Sequence, residues 1–219
     1  MPPSFYQIRQ CQNPACGLRY PLTEGHPFGE RCPLCLGATR VELERPLSQE
    51  PFPAALLPSP FQREGPGVKV EALLDNVRSA WNVGSMFRTA EGFGLRQLHL
   101  CGITPTPENT SVAKTALGAD TIIPWTHAKN ALTAAQKLKA AGCQLWALEQ
   151  DERAIPISDL VIDDLPIALI VGNEITGVDP ALLDLCDKIV YLPMRGQKRS
   201  FNVAVAFGIC VSQLVDKNY

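Results

Sequence analysis

The sequence predicts an α/β protein with a mainly parallel sheet and a small metal-binding module in front of it. From Gly67 onward, short apolar runs typical of strands alternate with helical patterns, and four cysteines crowd into the first 35 residues. Alternation of strands and helices is typical of parallel sheets, because helices form their crossover connections. We therefore expect a module over 1–45, a linker rich in proline over 46–66 and an α/β domain over 67–219.

Within the larger domain, we predict strands over 68–74, 98–101, 121–123, 144–148, 167–171 and 189–192. The predicted helices cover 83–93, 111–117, 128–140, 180–185 and 201–215. Asp179 followed by Pro180 is a typical helix start, because aspartate caps free N–H groups and proline fits the first helical position. The last helix is apolar nearly all round, which predicts that it is buried, in part by a second subunit.

Composition limits the class of protein. A chain of 219 residues with 46% hydrophobic content supplies one ordinary core and a small appendage. Its apolar stretches are shorter than the ~20 residues needed to cross a bilayer, and the first ten residues do not resemble a secretory signal. We expect no membrane span and a cytoplasmic location. A net charge of -2 excludes nucleic-acid binding through bulk positive charge, so any such contact must be a local patch.

The four early cysteines form two pairs with the spacing of metal ligands: Cys11 and Cys16 are separated by four residues, and Cys32 and Cys35 by two. Such spacing suits tetrahedral coordination of Zn²⁺ by four thiolates, and cytosolic thiols stay reduced. The segment resembles a zinc ribbon. A reduced or vestigial cluster without metal is the alternative. Four protein ligands leave no open position, so the zinc would be structural or serve recognition.

Two further features of this module bear on the metal site. Gly17 and Gly37 follow the cysteine pairs and could supply the backbone conformations that tight turns need. His26 lies between the pairs and could replace one cysteine, although we favour a histidine in a surface loop.

Three segments of the larger domain carry polar residues at places where chemistry is expected. In 82–90, Asn82 and Arg88 stand near a helix start. In 167–179, a buried strand ends at Gly172, Asn173 and Glu174, followed by Gly177. In 191–206, Ser200 and Asn202 open the last helix. Glycines at the carboxyl end of a strand let the backbone approach a ligand. Each segment alone also fits a purely structural role: a helix cap, a solvated arginine or an ordinary strand-to-helix turn.

Together the three segments resemble the signature motifs of the SpoU-type (TrmH-like) RNA 2′-O-methyltransferases, within the knotted SPOUT superfamily, over roughly 70–215. The matching patterns are N, x, G, then RTA from Asn82; GNE with a following TG; and PM, x, G, three residues, S, x, N. Phe201 stands where leucine is common, Ser85 where alanine is common, and Ala80 and Trp81 where a proline often precedes the asparagine. The longer tRNA-binding extensions of some members are missing, which leaves the RNA open.

The resemblance implies S-adenosylmethionine-dependent methylation of a ribose 2′-hydroxyl in tRNA or rRNA, with no metal at the reaction centre. It also implies a C-terminal trefoil knot, a bent cofactor held by the loops around 169–177 and 192–202, and a homodimer that completes the site. The implied cofactor-binding residues are Leu169, Val171, Gly172, Asn173, Glu174, Gly177, Leu192, Met194, Gly196, Ser200, Phe201 and Asn202.

The resemblance also assigns roles around the reacting hydroxyl. Arg88 would activate the 2′-hydroxyl and grip a phosphate, while the other polar motif residues shape the site: Asn82, Glu174, Ser200 and Asn202. A guanidinium has a pKa above ~12 and is a poor base, so we favour Arg88 as polariser and anchor. Phosphate contacts are expected from Arg78, Arg88, Arg195, Lys198 and Arg199.

Two other functions remain open from the sequence. One is a non-catalytic RNA-binding or scaffold protein on the same knotted fold, and the other is an α/β enzyme that acts on a small molecule or nucleotide. The presence of all five polar motif residues argues against a non-catalytic RNA-binding or scaffold protein. DNA is not expected as a partner, and His99 and His127 are interpreted as structural.

Overall fold

The computed structural model describes residues 5–24, 29–46, 69–160, 165–198 and 200–216. The chain divides into two compact units, Met1–Leu57 and Pro58–Tyr219. The predicted linker over 46–66 lies outside the described residues except for Pro46, which ends a strand. His26 and Arg199 also lie outside them.

The first unit contains a three-stranded antiparallel sheet in the order β2-β1-β3, made of β1 (Phe5–Cys11), β2 (Arg19–Thr23) and β3 (Thr39–Pro46). Cys11 ends β1, and the other three clustered cysteines lie in the connections between strands. The sheet therefore brings the two cysteine pairs to one end of the unit.

The second unit is built on a seven-stranded sheet in the order β6-β5-β4-β9-β7-β10-β8, and all of its pairings are parallel. The predicted mainly parallel sheet is thus confirmed. Its strands are β4 (Val70–Asp75), β5 (Leu98–Cys101), β6 (Trp125–Ala128), β7 (Gln144–Leu148), β8 (Ile155–Pro156), β9 (Ile167–Val171) and β10 (Lys188–Tyr191). Its helices are α1 (Ala80–Phe93), α2 (Thr110–Ala116), α3 (Ala119–Ile122), α4 (Ala131–Ala140), α5 (Pro180–Leu185) and α6 (Val203–Asp216).

Helices cover both faces of this sheet, as the alternation of side chains along each strand requires. In β9, Ile167, Leu169 and Val171 pack with the buried faces of α1, α2 and α6, while Ala168 and Ile170 pack with α4 and α5. The two neighbouring strands β4 and β9 are almost wholly buried, and the burial of β9 on both faces explains its continuous apolar sequence.

The carboxyl ends of four strands meet at one edge of the sheet. Val171 pairs with Leu74 on one side and with Leu148 on the other, and Leu148 pairs with Val190. The loops that follow β4, β9, β7 and β10 therefore emerge side by side. In open α/β sheets, this is the edge where ligands bind.

Several predicted boundaries differ from the structure. The strand predicted over 121–123 is wrong: Gly118 turns the chain in a left-handed conformation, α3 follows, and the strand comes at β6. Two adjacent isoleucines were too short an apolar run to separate helix from strand. The helix predicted from residue 128 begins at Ala131 because the side chain of Asn130 accepts a hydrogen bond from Thr133 N–H. The two-residue strand β8 was not predicted.

The last helix is buried on one face only. Phe207, Cys210, Val211 and Leu214 lie in the core, whereas Val205 is 52% and Ile209 37% exposed. Within one chain, one face of α6 is therefore buried as predicted. An apolar strip on the rest of the helix remains at the surface. Among the described residues, no helix is long and apolar enough to span a membrane.

Candidate functional site

A cavity of about 300 Å³ lies where β7, β9 and β10 end and α6 begins. Ten of the twelve predicted cofactor-binding residues line it: Val171, Gly172, Asn173, Glu174, Gly177, Leu192, Met194, Ser200, Phe201 and Asn202. The other two do not line it: Leu169 is buried in the middle of β9, and Gly196 lies in the loop after β10. The second and third motifs thus form one cavity, as their shared position at the strand ends predicts.

Hydrogen bonds join all three motifs beside this cavity. Asn82 Nδ2 donates to Glu174 Oε1 at 2.9 Å, and Asn202 Nδ2 donates to Asn82 Oδ1 at 3.1 Å. Asn202 Oδ1 in turn accepts from the N–H groups of Ala204 and Val205. Each asparagine amide is held through both of its ends, so its orientation is fixed by the fold.

Glu174 ties the loop after β9 to the start of α1. Its carboxylate accepts hydrogen bonds from the backbone N–H groups of Arg78 and Ser79, at 2.9 and 3.0 Å, as well as from Asn82. Partial desolvation raises the pKa of Glu174, but these donors outweigh it, so the pKa lies below its ordinary value. The side chain is therefore an ionised brace between the first and second motifs.

The side chains that cap α1 and α6 are not those of Asn82 and Ser200, although both residues stand near a helix start. Ser79, three residues before Asn82, caps α1 by accepting from Asn82 N–H, and this frees the Asn82 side chain for Glu174. Asn202 caps α6, while Ser200 lines the cavity. Neither Asn82 nor Ser200 is therefore the residue whose side chain caps its helix.

The loop after β9 is shaped by Asn173 and by two glycines. Asn173 Oδ1 accepts from the N–H groups of Ile175 and Thr176, and its Nδ2 donates to the Asn76 carbonyl at 2.7 Å. A Cβ on Gly172 would lie 2.2 Å from the Gly177 carbonyl carbon, so only glycine permits this close approach of backbone to backbone.

Arg88 is not part of this cavity. It is exposed on α1 and lines a separate shallow depression with residues of α1, α2 and α3, among them Ser85, Thr89 and Ala116. Asn82 and Arg88 are six residues apart on one helix and so point in different directions. Within one chain, the structure brings together Asn82, Glu174, Ser200 and Asn202 and leaves Arg88 apart.

The remaining predicted cationic residues lie on the surface near the cavity. The Arg78 side chain is exposed where the chain enters α1, and Arg195 and Lys198 are exposed in the loop between β10 and α6. Arg195 and Lys198 share their loop with Met194 and Ser200 of the cavity lining, and the backbone N–H of Arg78 donates to Glu174.

Seven lining residues were missed: Leu148, Glu149, Gln150, Ile175, Tyr191, Val203 and Ala206. The first three follow or end β7, which neighbours β9. The signal that could have identified them is position alone, because the carboxyl ends of neighbouring parallel strands share an edge. The sequence predicted both strands but not that they are neighbours.

The four cysteines of the first unit could hold a metal ion. Their sulfur atoms all lie within 4.8 Å of one another, with Cys11 Sγ 3.4 Å from Cys35 Sγ and Cys16 Sγ 3.7 Å from Cys32 Sγ. The turns use a left-handed Gly17, as predicted, but at the second pair the left-handed residue is Leu36, not Gly37. A Cβ at Gly37 would instead contact Cys35 Sγ at 3.3 Å.

Comparison with known proteins matches residues 69–212, well over half of the chain, to the SpoU rRNA Methylase family. The chain is 37% identical over 142 residues to the 23S rRNA (guanosine(2553)-2'-O)-methyltransferase RlmP of Bacillus subtilis, covering 65% of this chain and 56% of that protein. It is 32% identical over 154 residues to the 23S rRNA (guanosine-2'-O-)-methyltransferase RlmB of Ralstonia nicotianae, covering 69% and 59%. The chain thus spans a little over half the length of these relatives.

Solved structures agree with this match. The AdoMet-bound rRNA methyltransferase from Sinorhizobium meliloti superposes with a TM-score of 0.63 and 27% identity, covering 66% of this chain and 55% of that one. The TrmH/SpoU tRNA modifying enzyme of A. aeolicus, at 23% identity, shares the fold with a TM-score of 0.60, covering 68% and 75%.

Proposed function

Because the chain belongs to the SpoU rRNA methylase family, we propose that it transfers a methyl group from S-adenosylmethionine to a ribose 2′-hydroxyl of rRNA or tRNA. The observation that carries this proposal is the hydrogen-bonded chain from Glu174 through Asn82 to Asn202 beside one cavity. It unites the three motifs by contact. The names of the relatives RlmP and RlmB, both 23S rRNA 2'-O-methyltransferases, support the same reaction class.

The residues of the cavity fit S-adenosylmethionine. Its volume of about 300 Å³ falls in the range of small-molecule sites, and apolar walls alternate with a few polar groups. Gly172 and Gly177, where the backbone approaches itself closely, both line the cavity. We propose that the lining loops hold the cofactor, which when bound supplies an electrophilic methyl group on a sulfonium. The AdoMet-bound S. meliloti structure supports this assignment.

The protein's own part in the reaction is positioning. An in-line displacement needs the hydroxyl oxygen aligned with the methyl carbon, and alignment of bound groups can supply a large share of the rate. We propose that Asn82, Glu174, Ser200 and Asn202 shape the acceptor side of the cavity. Arg88 would orient the 2′-hydroxyl by hydrogen bonding and anchor the adjacent phosphate bidentately. A guanidinium stays protonated, so the hydroxyl proton leaves to phosphate or water.

A homodimer explains how Arg88 could act at a cavity that it does not line. The apolar strip on α6, with Val205 and Ile209, lies on the helix that packs against α1, where Trp81 is 62% exposed. Exposed apolar residues on adjacent helices are typical of subunit interfaces. We propose that a second copy covers this strip and that Arg88 of one subunit reaches the cavity of the other.

We propose that the RNA backbone is held by the predicted cationic residues: Arg78, Arg88, Arg195, Lys198 and Arg199. Their local clustering compensates for a net charge of -2 over the whole chain. We also propose the division into a module over 1–45, a linker over 46–66 and a methyltransferase domain over 67–219, with the family's trefoil knot formed by the C-terminal segment.

We propose that Zn²⁺ binds Cys11, Cys16, Cys32 and Cys35 as a structural ion. Thiolates at about 2.3 Å from a tetrahedral zinc lie roughly 3.8 Å apart, close to the sulfur distances of 3.4 and 3.7 Å. The test measures the zinc content of the purified protein by inductively coupled plasma mass spectrometry. Wild type is compared with Cys32→Ser and with Cys210→Ser, which changes a cysteine outside the cluster. One zinc per chain, lost only in Cys32→Ser, supports the site.

The experiment that tests the reaction follows labelled methyl transfer from S-adenosylmethionine to total cellular RNA. Arg88→Ala should lose transfer, Arg88→Lys should lose most of it because a lysine cannot grip bidentately, and Arg96→Ala, an exposed arginine on the loop after α1, is the matched control. Label at alkali-resistant ribose positions supports the proposal. A folded protein that binds the cofactor and labels no RNA would contradict it and favour a binding role.

A further inference from the structure

Glu149 holds an unusual position beside the cavity. It directly follows the last residue of β7, is half-buried and lines the same space as the second and third motifs. Its Oε2 accepts the N–H of Val178 at 3.0 Å, and its Oε1 accepts the N–H of Gln150 at 2.8 Å. The carboxylate is thus held by backbone N–H groups of two segments, one after β7 and one in the loop after β9.

The loop after β9 leaves room for this carboxylate. Gly177 adopts φ +73°, and a Cβ there would lie 2.3 Å from Glu149 Oε2. Any side chain at 177 would therefore expel the carboxylate from its position as well as strain the turn. The position of the Glu149 carboxylate therefore depends on the glycine at 177.

The hydrogen-bonding capacity of Glu149 is only partly used. A carboxylate offers about four acceptor positions, and two are occupied by backbone N–H groups. None of the ion pairs between described residues includes Glu149. By contrast, Glu174 accepts from three donors at the start of α1. A carboxylate that is held in place at a cavity wall, with acceptor positions left over, is suited to bind donor groups of a ligand.

We propose that Glu149 binds the ribose of S-adenosylmethionine by accepting hydrogen bonds from its 2′- and 3′-hydroxyls. This inference rests on the proposed function. Two adjacent hydroxyls match the two oxygens of a carboxylate, and an acidic residue near a strand end is a general solution for binding ribose in α/β folds. The ligand's other donors are its adenine amino and ammonium groups, and the test separates these from the ribose.

The test measures calorimetric binding of three ligands to the full-length protein. S-adenosylhomocysteine carries ribose and ammonium, 5′-methylthioadenosine carries ribose without the ammonium, and the 2′,3′-dideoxy form of S-adenosylhomocysteine lacks both hydroxyls. The variants are Glu149→Gln, which keeps an oxygen for Val178 N–H, and Glu149→Ala. Glu152→Gln removes one negative charge from an exposed position nearby and is the matched control.

We expect Glu149→Gln to weaken both ribose ligands by about tenfold, as for loss of hydrogen bonds to a charged acceptor, with Glu149→Ala weaker still. The dideoxy ligand should bind wild type and Glu149→Gln equally. Equal weakening of ribose and dideoxy ligands would reduce Glu149 to a brace and overturn the inference. Weakening of S-adenosylhomocysteine alone would assign the ammonium instead and overturn it too.

The same data distinguish this inference from the proposed function. If wild type binds none of the three ligands, the methyltransferase proposal fails, and the inference fails with it. If wild type binds S-adenosylhomocysteine and methylates RNA while Glu149→Gln binds every ligand as wild type does, only the inference fails.

Discussion

Asn82 occupies the middle of the site because both ends of its amide are used. It donates to Glu174 and accepts from Asn202, whose sequence positions are 92 and 120 residues away. A serine or leucine at 82 could not make both contacts, since neither offers a donor and an acceptor at that separation. The role of Asn82 is therefore to fix two other side chains beside the cavity, independently of any contact with substrate.

Replacing Asn82 by alanine should lower methyl transfer about ten- to a hundredfold, because hydrogen bonds to charged groups are worth roughly 1.5–3 kcal/mol. The measurement is the initial rate of methyl transfer at saturating RNA. Asn130→Ala is the matched control: Asn130 caps α4 on the other face of the sheet, so that variant should lose some stability and keep its rate. A rate for Asn82→Ala equal to that of Asn130→Ala would contradict the prediction.

The lowered pKa of Glu174 predicts a pH dependence of stability. A carboxyl whose pKa is lower in the folded than in the unfolded chain stabilises the fold above its ordinary value, here 4.5, and this contribution disappears as pH falls through the folded pKa. Wild type should therefore exceed Glu174→Gln in urea midpoint at neutral pH, and the difference should narrow below about pH 4.5. Glu91→Gln, which removes a carboxylate from an exposed position on α1, is the matched control. A difference independent of pH would refute the assignment.

At the scale of elements, close packing of α1 against α2 explains the glycine of the first motif. A Cβ on Gly84 would lie 2.6 Å from Thr115 Cβ and 2.7 Å from the Val112 carbonyl oxygen. The two helices therefore touch through backbone at this point. Gly84 sets the position of α1, and α1 carries both Asn82 and Arg88.

Gly84→Ala should lower the free energy of unfolding by roughly 1–3 kcal/mol, as for overpacked contacts. Gly92 provides the control on the same helix, because a Cβ there would meet nothing within 4 Å. Gly92→Ala should be neutral or stabilising by up to roughly 1 kcal/mol through helix propensity. Urea denaturation followed by circular dichroism measures both. Equal effects of the two substitutions would show that the α1–α2 contact yields without cost.

Most elements of the larger unit were predictable because their signals are local. The buried strands β9 and β7 follow from apolar runs, and α5 follows from Asp179 and Pro180, whose cap is observed. The failures concern weak local signals. The strand predicted over 121–123 is wrong because a left-handed Gly118 allows a helical turn there, and the two-residue β8 carries no periodicity.

The candidate site was predictable where motifs carry it and hidden where topology does. Glu174 and Asn202 stood out by residue type next to glycine or a helix start, whereas Glu149 lies in a polar stretch without any motif. Its place beside the cavity depends on β7 lying next to β9, which pair although 18 or more residues separate them. Local sequence patterns do not determine which strands become neighbours in the sheet.

At the scale of the molecule, Arg88 and the cavity lie apart within one chain. The cavity lies at the strand ends, whereas Arg88 is exposed at a depression formed by α1, α2 and α3. The apolar strip of α6 adjoins α1, so a partner placed on that strip would stand close to Arg88. Mixing of variants therefore tests whether Arg88 of one subunit acts at the cavity of the other.

We predict that two inactive variants restore activity when mixed. Arg88→Ala keeps an intact cavity, while Gly172→Ala keeps Arg88 but places a Cβ 2.2 Å from the Gly177 carbonyl carbon and so displaces the loop that lines the cavity. In a mixed dimer, the cavity of the first subunit would receive Arg88 from the second. Random exchange gives one working site in half of the dimers, so about a quarter of wild-type activity should return.

The controls for this mixing experiment separate the two arrangements. Circular dichroism and sedimentation should show that both variants are folded and dimeric before mixing, and mixing Arg88→Ala with itself sets the background. If Arg88 acted within its own chain, every subunit of the mixture would carry a defect in its only site, and activity would stay at background. Recovery therefore requires that Arg88 cross the interface, which in turn explains why an exposed arginine lies beside an apolar surface.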